Sequence, residues 1–206
     1  MNPFQLVIGT KNQKKLLELQ RLLRDHPIDV ATLDDFPMLE EPEETGTTFS
    51  ENSEIKAVYY AQNLQRWVLA EDSGLSVAAL DGAPGVYSAR FSGEHATDES
   101  NNELLIEKMK SISSSDYAAW YTCHITVVDP DGKVWARSED YCRGQIRNEP
   151  RGEGGFGYDP LFEIPEYGRT FAELGGSVKA VLSHRARAYR KLLPKLIAIS
   201  LKATSC

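Results

Sequence analysis

Two adjacent acids, Glu71 and Asp72, stand with Ser73 and Gly74 directly after the short apolar run at 67–70. The run reads as a strand that stops at the acids, and the ends of strands are where α/β proteins keep their chemistry. A carboxylate in a low-dielectric interior is costly without a cation or good hydrogen bonds, so something positive must visit this pair. Lys14, Lys15, Lys56 and Lys179 each sit in a segment able to approach such a strand end. The visitor they imply is a metal ion carrying a polyphosphate. Mg2+ suits the role, because it prefers oxygen ligands and keeps several waters, so one or two carboxylates plus phosphate oxygens suffice. Asp72 and a glutamate of the acidic loop would supply them. Successive strand residues alternate in direction, so one of Glu71 and Asp72 serves and the other is structural. A competing reading has the pair capping a turn through Ser73 and Gly74, with the acidic loop a solvated face.

Other residues fit the same chemistry less specifically. Thr10, Asn12 and Lys15 fall at the start of a helix after a first strand, where free N–H groups and the helix dipole favour an anion. The spacing is not that of a P-loop. Lys56 lies one turn after Asn52, a place where a lysine is ordinarily just solvated. Phe156, inside a run of four glycines, is badly placed for core packing, so a flat ligand stacked on it is one explanation and a plug onto the core is the other. Asp159 is able to accept a ring N–H from that ligand, and His184 with Arg185 at a helix start to donate to a ring carbonyl; surface contacts are the plainer alternative.

These groups need a scaffold. Residues 4–8 read as a strand, and Leu16, Leu19, Leu22 and Leu23 recur at helical spacing. A second strand is expected at 28–33, then a proline-bearing loop at 34–46 holding Asp34, Asp35, Glu40, Glu41, Glu43 and Glu44. Thr48 and Glu51 have capping-box spacing and open a helix, Phe49–Leu64. Thr97 or Asp98 caps another helix carrying Leu104, Leu105 and Met109. From Ala118 a long strand begins, and Asp129-Pro130-Asp131-Gly132 turns it into an antiparallel partner. Ser183 caps a last helix, with Pro194 a kink or break. Strands alternating with helices give the α/β class, a mixed central sheet flanked by helices in one domain spanning 1–206.

Composition narrows the partners. The 206 residues carry 30 acidic and 23 basic side chains, a net charge of −7, which disfavours extended nucleic-acid binding yet tolerates a single nucleotide held by local lysines. Cys123, Cys142 and Cys206 give neither a disulfide framework nor a zinc site, as expected in a reducing cytosol. No stretch approaches the ~20 apolar residues of a membrane span, so a soluble cytoplasmic protein without a membrane partner is expected.

Taken together, the segments closely resemble the inosine triphosphate pyrophosphatase family, which hydrolyses deaminated purine nucleoside triphosphates. The resemblance spans nearly the whole chain. It rests on Thr10-Lys11-Asn12-Gln13-Lys14-Lys15 with Glu18, on the single stretch of Glu43-Glu44-Thr45-Gly46 and Glu51-Asn52 with Lys56, and on Glu71-Asp72-Ser73-Gly74. It continues through Gly82-Ala83-Pro84-Gly85-Val86-Tyr87-Ser88-Ala89-Arg90-Phe91, Gly154-Gly155-Phe156-Gly157-Tyr158-Asp159-Pro160, and Lys179 with Ser183-His184-Arg185. Each motif alone is weak; six in the family's order are specific. Lys11 stands where glycine is common, Glu71 where aspartate is common, and Gly175-Gly176-Ser177-Val178 replaces a more acidic lead-in to Lys179.

The resemblance implies an elongated two-lobed fold with a cleft between the lobes, a homodimer, Mg2+ dependence, and release of pyrophosphate with a nucleoside monophosphate. Carried over by position, Asp72 is the general base and a metal-associated carboxylate, and Glu44 its acidic partner. Thr10, Lys11, Asn12, Gln13, Lys14, Lys15, Lys56 and Ser73 are triphosphate contacts. Phe156, Gly157, Tyr158, Asp159, Lys179, His184 and Arg185 form the nucleoside pocket. Hypoxanthine and xanthine present an acceptor at O6 and a donor at N1, the reverse of adenine, so a donor at His184 or Arg185 and an acceptor at Asp159 would reject ATP. Two other readings use the same groups: a pyrophosphatase for other damaged nucleotides, and a nucleotide sensor that binds without cleaving.

Overall fold

In the computed structural model, residues 4–111 and 116–203 are described. β1 (Gln5–Ile8) buries Leu6, Val7 and Ile8 in succession, the mark of a strand covered on both faces. β2 (Asp29–Thr32) and β3 (Val68–Val77) run parallel to it. The crossovers carry α1 (Gln13–Leu23) and α2 (Phe49–Leu64). Then follow α3 (Asp98–Ser111), β4 (Ala118–Val128), β5 (Val134–Ile146), β6 (Phe162–Ile164), β7 (Arg169–Thr170), α4 (Phe171–Leu182) and α5 (His184–Ala203). The sheet order is β2-β1-β3-β4-β5-β6-β7, and β6 is antiparallel to both β5 and β7. The predicted mixed α/β sheet is thus present.

The chain divides into two compact units. One comprises Met1–Asp72, Cys123–Asp140 and Arg187–Cys206; the other comprises Ser73–Thr122 and Tyr141–Ala186. In the first unit, strict alternation sorts the side chains by face. Leu6, Ile8, Leu69, Cys123, Ile125 and Val127 pack with Leu16 and Leu19 of α1 and Leu192 and Leu196 of α5. Val7, Val68, Ala70 and Val128 pack instead with Ala57, Tyr60 and Ala61 of α2. Glu71 therefore shares the α1 face with Leu69, and Asp72 shares the α2 face with Ala70. In the second unit, Leu75, Tyr121, Phe162 and Phe171 centre a core closed by Leu105 and Met109 of α3.

Three expectations change. The strand does not stop at Glu71: β3 runs on to Val77, because Leu75 and Val77 bury completely and a lysine serves each acid inside the strand. Pro194 does not break α5, whose buried Leu192 lies before it and Leu196 and Ile199 after it, so packing on both sides holds the helix through the missing N–H. α4 was not foreseen, although Thr170 and Glu173 form the same capping box as Thr48 and Glu51. Gly175, at φ 75° inside α4, interrupts the helical geometry and masked the pattern. Cys206 lies outside the described residues; Cys123 and Cys142 are free and buried.

Candidate active site

Asp72 and Glu71, on neighbouring strand positions, each receive a lysine from the helix covering their own face. On the α2 side, Lys56 Nζ stands 2.8 Å from Asp72 Oδ1 and 2.9 Å from Glu44 Oε1. On the α1 side, Lys15 Nζ stands 3.4 Å from Glu71 Oε1, whose other oxygen takes the Cys123 thiol at 3.6 Å. Alternation sends the two acids to opposite faces, and the helix over each face places Asp72 with Lys56 and Glu44, and Glu71 with Lys15 and Cys123.

Several constraints present Glu44. Asn52, fully buried on α2, accepts the Gly46 N–H at 2.8 Å, and a Cβ at Gly46 would press on Asn52 and Glu51. Glu51 in turn takes the N–H groups of Thr47 and Thr48, which holds its pKa below the ordinary value. Of the loop glutamates left open by sequence, Glu44 joins Lys56, Glu41 pairs loosely with Lys11 at 3.8 Å, and Glu43 is exposed.

The charges are not balanced. Two carboxylates share one ammonium, leaving a negative excess. Burial pushes the Asp72 pKa up, Lys56 and Lys15 pull it back only in part, and Glu44 adds a like charge. Lys56 feels the opposite balance: burial disfavours its charge, but Asp72 and Glu44 outweigh it and hold its pKa above the usual lysine value. Asp72 Oδ2 is buried and has no hydrogen-bond partner among the described residues. Hard oxygen donors, a negative excess and an orphaned carboxylate oxygen fit a small divalent cation. Among the described residues no three or more His, Cys, Asp or Glu gather as a metal site, so a cation here would need its remaining ligands from water and phosphate.

The first loop is less open to an anion than its sequence promised. Asn12 caps α1, its Oδ1 accepting the N–H groups of both Lys14 and Lys15 at 3.1 Å. Two of the N–H groups expected to meet phosphate are therefore occupied. Thr10 Oγ1 accepts the Asn12 N–H, Gln13 donates to Asp34 at 3.4 Å, and Lys11 and Lys14 are exposed.

The second unit gathers the residues expected at a base. Lys179 Nζ lies 4.0 Å from the Phe156 ring centre and 2.5 Å from Asp159 Oδ2. Asp159 also accepts the Phe156 N–H at 2.9 Å. Arg185 lies 5.7 Å from the same ring centre and donates to Ser73 Oγ at 3.2 Å. Lys179, His184 and Arg185 are all buried, so His184 and Arg185 are not the surface pair that a helix start admits. Two of the side chains expected at a base have partners within the unit. Tyr158 is a core residue whose hydroxyl donates to Ser88 O at 2.8 Å, and Asp159 is an internal partner of Lys179 and the Phe156 backbone. Gly157 gives its carbonyl to Asn102 at 3.0 Å.

Sequence reasoning missed two groups. Tyr121 stacks on His184 with ring centres 4.7 Å apart and planes 8° from parallel. Its pKa is driven well above the phenol range by burial and then by the charge of Asp159. Ser53, His124 and Thr126 form a buried polar cluster on the α2 face. In β4, the polar residues Thr122, His124 and Thr126 recur at every second position, a signal that one face there is not purely apolar.

A model of the Ham1 family matches residues 6–195. A dITP/XTP pyrophosphatase of Rhodopirellula baltica is 50% identical over 194 residues, 94% of this chain and 93% of that one. One of Desulforamulus reducens is 43% identical over 189 residues, 92% and 94% of the two chains. Among solved structures, a HAM1 protein from Coxiella burnetii matches with TM-score 0.86 at 38% identity, covering 95% of this chain and 99% of that one. The dITP/XTP pyrophosphatase of Mycobacterium abscessus matches with TM-score 0.76 at 38% identity, over 93% and 100%.

Proposed function

Since the chain belongs to the Ham1 family, we propose that it hydrolyses deaminated purine nucleoside triphosphates, ITP, dITP and XTP, to the monophosphate and pyrophosphate with Mg2+. The observation that carries this reading is the cluster of Asp72, Lys56 and Glu44, with its negative excess and the orphaned Asp72 Oδ2. Glu44 and Asp72 would hold the cation, which when bound neutralises phosphate charge and aids departure of pyrophosphate.

Asp72 is the general base of this proposal. With the cation beside it, its carboxylate would stay ionised, so its effectiveness as a base rests on holding a water in line with phosphorus rather than on a high proton affinity. Lys56 and Lys15 supply fixed positive charge for the triphosphate, already oriented by Asp72 and Glu71, so little reorganisation is needed on binding. Lys11 and Lys14, exposed at the start of α1, extend that field. Phe156 offers a ring for the purine, and His184 and Arg185 donate to O6. Because Asp159 is held by Lys179, it acts here chiefly by fixing Lys179 beside that ring.

A homodimer working in the cytoplasm belongs to the same proposal. The free thiols of Cys123 and Cys142 suit a reducing compartment. The test is a turnover panel of ITP, dITP, XTP, GTP and ATP with Mg2+, scored for monophosphate and pyrophosphate. Release of inorganic phosphate, binding without turnover, or comparable turnover of ATP and ITP would refute the assignment.

A further inference from the structure

The buried hydroxyl of Ser53 permits a proton count. Its Oγ lies 2.9 Å from Ser50 O, 2.9 Å from His124 Nδ1 and 2.8 Å from Thr126 Oγ1. A hydroxyl has one proton to give and two lone pairs to offer. Ser50 O is a carbonyl and only accepts, so the Ser53 proton goes there. Both remaining neighbours must then donate, Thr126 through its hydroxyl and His124 through Nδ1–H.

The placement gives this cluster a consequence. His124 follows Cys123, which touches Glu71, so His124 and Asp72 share the opposite, α2 face. Ser53 and Lys56 are three residues apart on α2 and therefore neighbours on its surface. α2 meets the sheet through the buried apolar residues Ala57, Tyr60 and Ala61, and Ser53 adds directed polar contacts to β4. α2 also carries the segment of Glu44, through Asn52 to Gly46 and Lys56 to Glu44. A clamp between Ser53 and β4 thus fixes Lys56 and Glu44 relative to Asp72.

We propose that His124 is a positioning residue: with its proton on Nδ1 it locks Ser53, and through α2 it sets Lys56 and Glu44 against Asp72. This rests on the reading of those three side chains as working parts of the pyrophosphatase site. The count holds for the neutral ring and the imidazolium alike. Burial favours the neutral form; Glu139, Asp72 and Glu54 oppose that, and Arg137 supports it.

The test has a spectroscopic arm and a kinetic arm. Long-range 1H–15N correlation on the labelled full chain, with the His124 signals identified by their loss in His124→Asn, should show a protonated Nδ1 at neutral pH. A neutral ring protonated only at Nε2 overturns the proposal. In turnover of ITP with Mg2+, His124→Asn, whose amide N–H replaces Nδ1–H, should keep kcat within about twofold. His124→Leu should lower kcat about tenfold with KM nearly unchanged, the cost of small misplacement. Equal losses in the two variants, or a loss confined to KM, overturn it. If wild type fails to turn over ITP, the pyrophosphatase reading falls, and positioning is judged on unfolding equilibria of His124→Leu, Lys56→Met and the pair. A coupling of about threefold or more supports the clamp, and additivity overturns it. Should His124→Leu not fold, Ser53→Ala takes its place in both measurements.

Discussion

Replacing Lys56 with methionine keeps the length and apolar stem of the side chain and removes the ammonium that Asp72 and Glu44 share. At the 2.8 Å separation from Asp72, a unit pair attracts by about 6 kcal/mol at an effective dielectric of ~20. Desolvation of both ions takes back much of that, but removing one partner leaves the other buried and uncompensated, at a cost of ~3–5 kcal/mol. The lower end applies here, because Glu44 keeps a quarter of its side chain in water (25%) and Lys15 still acts on Asp72. A loss of about 3 kcal/mol corresponds to a melting temperature lower by about 6–12 °C in a chain of this size. The loss carries a sign with pH. Without Lys56, the pKa of Asp72 rises further above its unfolded value, so between the two values the folded state binds more protons and loses stability as pH rises. Urea unfolding should therefore separate wild type from Lys56→Met by more at pH 7.5 than at pH 5. Mg2+ at about a hundred times its dissociation constant should return up to ~2.7 kcal/mol. A loss below ~0.5 kcal/mol, or one of equal size at both pH values, would refute the claim that this ammonium neutralises two partly buried acids.

Three further outcomes are expected. Asp72→Asn should cut pyrophosphate release by about 10²–10⁴-fold, the range for a lost general base. Its melting temperature should stay near wild type, since Lys56 retains Glu44. Tyr121→Leu should lower kcat/KM for ITP relative to ATP about tenfold, as the stacked partner of His184 is worth ~0.5–1.5 kcal/mol beyond its area; competition assays with Tyr121→Phe as the retaining control check this. His124 should make stability fall on acidification: its folded pKa lies below the ordinary 6.5, so the unfolded chain binds more protons in that interval. Its contribution is whole above pH 6.5 and is lost as pH drops through the folded value, and a denaturation series in His124→Asn should lack that component.

Periodicity carried most of the fold because it reports burial directly. Leu16, Leu19 and Leu23 bury on one side of α1, and the polar signal of Thr48 and Glu51 opens α2 as its spacing says. The strand at Glu71 was misjudged because acids and glycine ordinarily end strands, whereas lysines from α1 and α2 neutralise the acids here and let the pleat continue. No local pattern records that, since Lys15 and Lys56 are far from β3 in sequence. α4 differs: its cap at Thr170 and Glu173 is local, but Gly175 and Gly176 break the helical pattern behind it, and the structure accommodates them with a non-helical residue inside the element.

The same asymmetry governs the site. Residue types announced an acid and lysine chemistry, but which acid meets which lysine depends on faces and on the helix packed over each. Alternation said that Glu71 and Asp72 diverge; only the placement of α2 over Ala70 and Val128 says that Asp72 is the one beside Lys56. Asp159 shows the limit in the other direction. A carboxylate in a glycine-rich loop looked free to read a base, yet a buried ammonium on α4 had already claimed it. The cationic groups beside the Phe156 ring are Lys179 and Arg185, and in the proposed pocket Asp159 contributes by fixing the first of them. In the proposed pocket, selection against adenine rests on donors toward O6, because a purine lacking an acceptor there would leave them unpaired at a cost far above a lost contact, whereas guanine shares that acceptor.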